Sequence, residues 1–232
     1  MTLGLTGIWF NNAYIFPSNV EIPENATSVI FWNAADRATI HLDILSENIR
    51  NIKPDIIALA ETENASAQDI QQLSKDFPAY EFQILQGNML IGIKGSIENV
   101  TYTIEHRSYD INFVEAQLSS GPILIALTDT FQDPGMNKRK TLETVLQLVS
   151  QKNSDLMVGD FNTPYESVHF RKYETDYTSF HNYGQGFSAT WPFGIPLLEI
   201  DQIFTSKKFT PLLLQKFYYN VSDHAMLVGY FK

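Results

Sequence analysis

The chain has 232 residues, 44% hydrophobic and 13% aromatic, enough apolar material for one sizeable core. Its formal charge of −10 argues against a broad basic surface of the kind that drives non-specific duplex binding, although a metal in a cleft can supply local positive charge. With no cysteine there is no disulfide, thiolate metal site or cysteine nucleophile, and no apolar run approaches the length of a membrane span.

No Gly/Ser-rich linker, charge block or fixed-period repeat divides the sequence. Residues 1–27, interrupted by Pro17 and Pro23, read as an extended lead-in, and residues 28–232 as one domain. The aromatic start lacks the basic residues and small-residue cleavage site of a signal peptide. Ser28 to Asn33 has the pattern of a buried strand that delivers Asn33 to its end. Ile40, Ile44, Leu45 and Ile49 recur at helical spacing over 38–52, and Lys53-Pro54 stops the helix. Asp55 to Glu61 is a second buried strand, ending in a carboxylate. A helix over 67–77 places Ile70, Leu73 and Phe77 on one face.

Short alternating segments follow at 80–85, 89–94, 98–106 and 111–118, the mark of hairpin-connected antiparallel strands. Residues 123–128 form another apolar strand, ending on Thr128 and Asp129. A helix over 136–151 turns Leu142, Val145, Leu146 and Val149 inward, and the strand at 155–158 runs into Gly159-Asp160-Phe161-Asn162. Residues 165–196 are loop-rich, with nine aromatics of which more than half are expected to pack the core. Strands at 198–204, 209–219 and 224–231 complete the chain. Mixed strands flanked by helices point to a layered α/β fold.

In an extended backbone residues i and i+2 share a face, so Asp160 and Asn162 are expected to point into one cleft. A carboxylate that orients water or binds metal, beside an amide that donates to a phosphoryl oxygen, suits phosphate chemistry. The same pair also suits a turn after a strand. Other strand ends present Asn33, Glu61, Asp201 and the pair Asp223-His224. Singly, each fits a cap or a turn; five such places in this order are hard to obtain by chance.

These blocks resemble the endonuclease/exonuclease/phosphatase superfamily: Phe31-Trp32-Asn33, Pro54 to Glu61, Val158-Gly159-Asp160-Phe161-Asn162, Ile200 to Phe204 and Val221-Ser222-Asp223-His224. Gly186 to Pro192 is similar to a bacterial subgroup of undefined substrate. The resemblance implies a four-layer α/β sandwich, with two mixed, mainly antiparallel sheets packed face to face and helices outside. It implies a divalent-metal-dependent phosphoesterase, with Glu61 as principal ligand of Mg²⁺ or Mn²⁺, Asn33 close by and Asp223 as a further ligand. Asp160 would orient or deprotonate the attacking water, Asn162 would hold a phosphate oxygen, and His224, polarised by Asp201, would stabilise the developing charge.

The expected substrate is a phosphodiester, of nucleic acid or of a lipid head group, and the expected state is a monomer. Relatives of the bacterial subgroup often follow membrane spans, so membrane attachment within a longer protein is consistent. One position departs from the pattern: where the superfamily usually places a phosphate-binding His or Tyr, this chain has Thr128-Asp129. Asp129 then binds a second cation, or turns away while Arg139 or Lys138 compensates, or leaves a weak enzyme that serves as a binding module. Lys138-Arg139-Lys140 is the only compact basic cluster.

Overall fold

A computed structural model describes residues 13–16, 19–34, 41–133 and 135–232. Most of the expected lead-in start, 1–12 and 17–18, and the expected helix start at 38–40 lie outside the described residues. In chain order the elements are β1 (Tyr14–Ile15), β2 (Thr27–Asn33), α1 (Leu42–Ile52), β3 (Ile56–Ala60), α2 (Ala67–Asp76), β4 (Glu81–Leu85), β5 (Met89–Ile93), β6 (Gly95–Glu105) and β7 (Tyr109–Leu118). There follow β8 (Gly121–Thr130), α3 (Lys138–Lys152), β9 (Leu156–Asp160), α4 (Tyr173–Asp176), β10 (Tyr177–Ser179), β11 (Gly186–Phe187), β12 (Asp201–Ser206), β13 (Pro211–Phe217) and β14 (Met226–Phe231).

The strands build two six-stranded mixed sheets, ordered β13-β14-β2-β3-β5-β4 and β10-β12-β9-β8-β7-β6. The pairs β2–β3 and β8–β9 are parallel, and their neighbours run antiparallel. β2 is buried at every position because both of its faces are covered. Val29 and Phe31 meet Ile125, Leu127, Val158 and Ile203 in the core between the sheets. Ile30 and Trp32, on the other face, pack with Leu45 and Ile49 of α1 and Leu73 of α2. Ala126, Met157 and Phe204 pack outward against Leu142, Val145 and Val149 of α3. The layers are therefore helix, sheet, sheet, helix. Complete burial of Leu45 and Ile49 contributes about 2 kcal/mol each to holding α1 in place.

Several boundaries shift from the sequence expectation. β8 runs on through Thr128 and Asp129 to Thr130, and β9 through Gly159 to Asp160, because each pairs with its neighbour that far. Gly159 allows that pairing: a Cβ there would meet the Thr128 carbonyl oxygen. β12 and β14 begin at Asp201 and Met226, each later than expected. Tyr14–Ile15 is no independent lead-in, since it pairs with Gly186–Phe187. Of the nine aromatics in 165–196, only Phe170, Tyr173, Tyr177 and Phe180 are fully buried, fewer than expected; Trp191 and Phe193 instead border the cleft described next. No helix among the described residues is long and apolar enough to cross a membrane.

Candidate active site

The sheet registers gather the polar strand ends at one open edge of the sandwich. Asn33, the last residue of β2, lies level with Ala60 at the end of β3. Glu61 follows in a left-handed conformation (φ 52°), which turns the chain out of the sheet. In the other sheet Asp201, Asp160, Asp129 and Asp110 occupy one cross-strand row over β12, β9, β8 and β7. Directly paired residues share a face, so this end of the sheet carries four adjacent aspartates.

A chain of hydrogen bonds links the two sheets. Asn33 Nδ2 donates to Glu61 Oε1 and to Asp160 Oδ2, both at 2.9 Å. Asp160 Oδ1 accepts the Asn162 backbone N–H at 2.7 Å. Asn162 is not in an extended strand, as the i, i+2 expectation supposed: its φ is 44°, and a turn brings it back over Asp160. Its Nδ2 donates to the Thr130 carbonyl at 2.7 Å, so one amide hydrogen is already committed. His224 Nδ1 sits 3.1 and 3.0 Å from Asp201 Oδ1 and Oδ2 and 3.8 Å from Asp160 Oδ2. The loop that carries His224 is held by Ser222 Oγ, which donates to the Asn33 carbonyl at 2.8 Å and accepts the His224 N–H at 3.0 Å.

The electrostatics follow from that burial. Burial opposes charge on the His224 ring, but the Asp201 carboxylate, its hydrogen bond, and then Asp160 and Asp223 outweigh it and lift the imidazole to about 10. Asp160 is raised to about 7, by burial first and Asp201 second, against the lowering effect of His224, Asn162 and Asn33. Burial, then the charges of Asp160, Glu61 and Asp110, push Asp129 well above the usual carboxylate range.

Above this network opens a cleft of about 740 Å³. Glu61, Asn162, Asp223 and His224 line it, whereas Asn33, Asp160 and Asp201 are wholly buried beneath its floor. All seven expected site residues therefore meet at one end of the sandwich. Asp129 faces the cleft, which removes the expectation that it turns away. Arg139 is no compensating partner; it pairs with Glu143 on the surface at 3.2 Å.

Among the lining residues not read from the sequence as site residues, Asp110 and Trp191 bear most on the chemistry. Asp110 sits mid-segment between a turn and an apolar run, and only the β7–β8 register aligns it with Asp129. Trp191, grouped with the loop aromatics, donates from Nε1 to Asp223 Oδ2 at 2.8 Å and so fixes that carboxylate 3.8 Å from His224 Nε2.

Ligand atoms of Asp160, Asp201 and His224 lie within 4.8 Å of one another, close enough to hold a metal ion. Yet His224 Nδ1 is turned onto Asp201, and the group is closed to the cleft. The open carboxylates of Glu61 and Asp223 are the donors here that fit a hard divalent cation.

A four-layer sandwich whose polar strand ends gather around a carboxylate-paired histidine is the architecture of phosphoesterases and nucleases. This chain belongs to the Endonuclease/Exonuclease/phosphatase family, whose model matches residues 30–224. No curated protein matches it in sequence. Among solved structures it is similar to D. rerio TDP2 complexed with single strand DNA product, at 15% identity and a TM-score of 0.68, over 89% of this chain and 99% of that one. An endonuclease/exonuclease/phosphatase family protein from Bacteroides thetaiotaomicron aligns at 10% identity and a TM-score of 0.70, over 89% and 97%. A mannosyl-6-phosphatase from the same species aligns at 11% identity and a TM-score of 0.68, over 89% and 99%. At these identities the likeness is one of fold.

Proposed function

We propose that the cleft hydrolyses a phosphodiester by in-line attack of water, with a divalent cation, Mg²⁺ or Mn²⁺, at Glu61. The observation that carries this reading is the series Glu61–Asn33–Asp160 joined by hydrogen bonds, with the His224–Asp201 pair packed against it at 3.8 Å, which sets an open carboxylate beside a buried, carboxylate-paired histidine. Glu61 would hold the cation, with Asn33 fixing its carboxylate and Asp223 within the same cleft. Such an ion, when bound, supplies positive charge to the phosphoryl oxygens.

The protein's own groups do the rest. His224, held protonated by Asp201, donates to a phosphoryl oxygen and stabilises the charge that develops there. Asp160 has no face on the cleft, so it orients the attacking water through Asn162, whose backbone N–H it accepts and which borders the cleft, while Asn33 holds its carboxylate in place. Asn162 borders the cleft as the phosphate-side wall. Little covalent work is asked of the protein; positioning and charge do most of it.

Charge also supports a diester over a monoester. The described lining includes five carboxylates, Glu61, Glu63, Asp110, Asp129 and Asp223, and no Lys or Arg. A diester brings one negative charge into that wall where a monoester brings nearly two. Phe131 and Phe193, both partly exposed on the lining, offer apolar contact to an ester group. Neighbours in fold differ by name, one complexed with a single strand DNA product and another a mannosyl-6-phosphatase.

The test is hydrolysis of bis-p-nitrophenyl phosphate and p-nitrophenyl phosphate with Mg²⁺, Mn²⁺ or chelator, beside Glu61→Ala and His224→Ala. Faster diester turnover that needs metal and is lost in both variants is expected. Turnover unaffected by chelator, or retained in both variants, overturns the mechanism. Phosphate-ligand binding with no turnover favours the second reading, a binding module, for which Asp129 in the cleft is the specific observation.

A further inference from the structure

The four-aspartate row is compensated at one end only. Asp201 faces His224, and Asp160 receives Asn33 and the Asn162 N–H. Asp129 Oδ1 is shut off from solvent and accepts no hydrogen bond among the described residues, while the residue borders the cleft. Asp110, its direct cross-strand partner, borders the same cleft and is half-buried. Like charges directly opposite one another on a sheet repel. Lys138 is close enough to feel Asp129, but it donates to the Phe131 carbonyl at 2.6 Å and not to Asp129.

We infer that Asp110 and Asp129 form a second divalent-cation site, on the cleft wall opposite Glu61. The ion is of the hard, oxygen-seeking class, Mg²⁺ or Mn²⁺, which takes one or two carboxylates and keeps several of its waters. The pair is built on adjacent strands, so its spacing is set by the sheet rather than by a flexible loop. The β4–β5 turn backs it closely. Gly87 (φ 69°) lies so near that a Cβ there would be 2.5 Å from Asp110 Oδ2, so only glycine lets the turn pack against that carboxylate. Asn88, next in the turn, borders the cleft and can add an amide oxygen. An ion here turns a wall that repels phosphate into one that attracts it, in the place where the family resemblance leads one to expect a His or Tyr. The site deepens the proposed phosphoesterase reading but does not need turnover to be seen.

The experiment is a Mn²⁺ titration of the full chain without substrate, with free Mn²⁺ followed by electron paramagnetic resonance. Wild type, Glu61→Gln, Asp110→Asn and Asp129→Asn are compared, and each is checked for folding by circular dichroism. The expected result is two bound ions in wild type. Asp110→Asn and Asp129→Asn each lose one, or hold it about tenfold more weakly, and Glu61→Gln loses the other. One bound ion in wild type, removed by Glu61→Gln and unaffected by Asp129→Asn, overturns the inference and leaves the phosphoesterase reading standing. If that result is joined by a more heat-stable metal-free Asp129→Asn protein, the two aspartates share a proton instead of a cation. Two ions in wild type, both retained by Glu61→Gln but one lost in Asp129→Asn, keep this site and remove Glu61 from the proposed mechanism.

Discussion

Replacing Asn33 by alanine removes a side chain that bridges the two sheets at the site. Asn33 is wholly buried, and its amide donates to Asp160 Oδ2 and to Glu61 Oε1 at 2.9 Å each. The Asp160 carboxylate has no access to water, so that bond is worth about 2 kcal/mol; the Glu61 bond, at the open end, is worth about 1 kcal/mol. A total loss of about 3 kcal/mol corresponds to a fall in Tm of roughly 6–12 °C for a chain of this length. Urea unfolding followed by circular dichroism, in chelator so that no ion contributes, measures it. The loss also depends on pH in a definite direction. Asp160 is raised to about 7, and the Asn33 bond is one of the effects holding it down, so the variant takes up its proton at a higher pH. A protonated Asp160 needs no donor, and the deficit therefore widens as pH rises through about 7. A deficit below about 1 kcal/mol at pH 8, or one unchanged between pH 6 and pH 8, refutes the account of Asn33 as the bridge between two charged groups.

Gly159→Ala places a Cβ against the Thr128 carbonyl, backbone that cannot yield, between the two central parallel strands. A loss of about 3 kcal/mol or insoluble protein is expected, read by urea unfolding or yield; wild-type stability would mean that β8 and β9 are not paired there. Mg²⁺ at about a hundred times its Kd stabilises the wild type by about 2.7 kcal/mol per site, and Glu61→Gln loses the share due to its own ion in a thermal-shift titration. An undiminished shift would show that Glu61 is no ligand. Asp201→Asn removes the charge that lifts His224 from 6.5 to about 10. The stability from that raised imidazole is whole below about 6.5 and lost as pH rises through about 10, so the wild type weakens on going alkaline. Asp201→Asn is expected to be about 3 kcal/mol less stable at pH 7 and to show a flatter alkaline slope; parallel pH profiles would rule out the pair.

Much of the fold was readable because its central strands are buried on both faces. Val29 to Phe31, Ile56 to Ala60 and Ile123 to Leu127 are continuous apolar runs, which require a sheet covered on both faces, here by helices and by the second sheet. Lys53 ends α1 in a left-handed conformation before Pro54, as local chemistry dictates. Where strands end was less readable. Thr128, Asp129 and Asp160 look like the polar residues of turns, yet the ladder carries them into the sheet, since pairing with a neighbour outweighs their low strand propensity. The short pair Tyr14–Ile15 with Gly186–Phe187 joins segments more than 170 residues apart, and neither alternates enough to announce itself.

The same reasoning separates the two halves of the site. Asn33, Glu61, Asp160, Asn162, Asp201, Asp223 and His224 were visible because each follows an apolar run or sits in a short motif. Asp110 was not, because its meaning is purely relational: it becomes a site residue only when β7 and β8 fall into a register that sets it opposite Asp129. Charge makes that register consequential. Two unit charges about 5 Å apart repel by about 3 kcal/mol at an effective dielectric constant near 20. A sheet that places uncompensated carboxylates side by side gives up stability of that order unless a proton or a cation sits between them. His224, Asn33 and Asn162 meet that demand for Asp201 and Asp160 from within the chain. For Asp129 and Asp110 no hydrogen-bonding side chain among the described residues does the same, and His224 and Lys138 act on Asp129 only through space, so the stability of this edge of the sheet is tied to what the cleft binds.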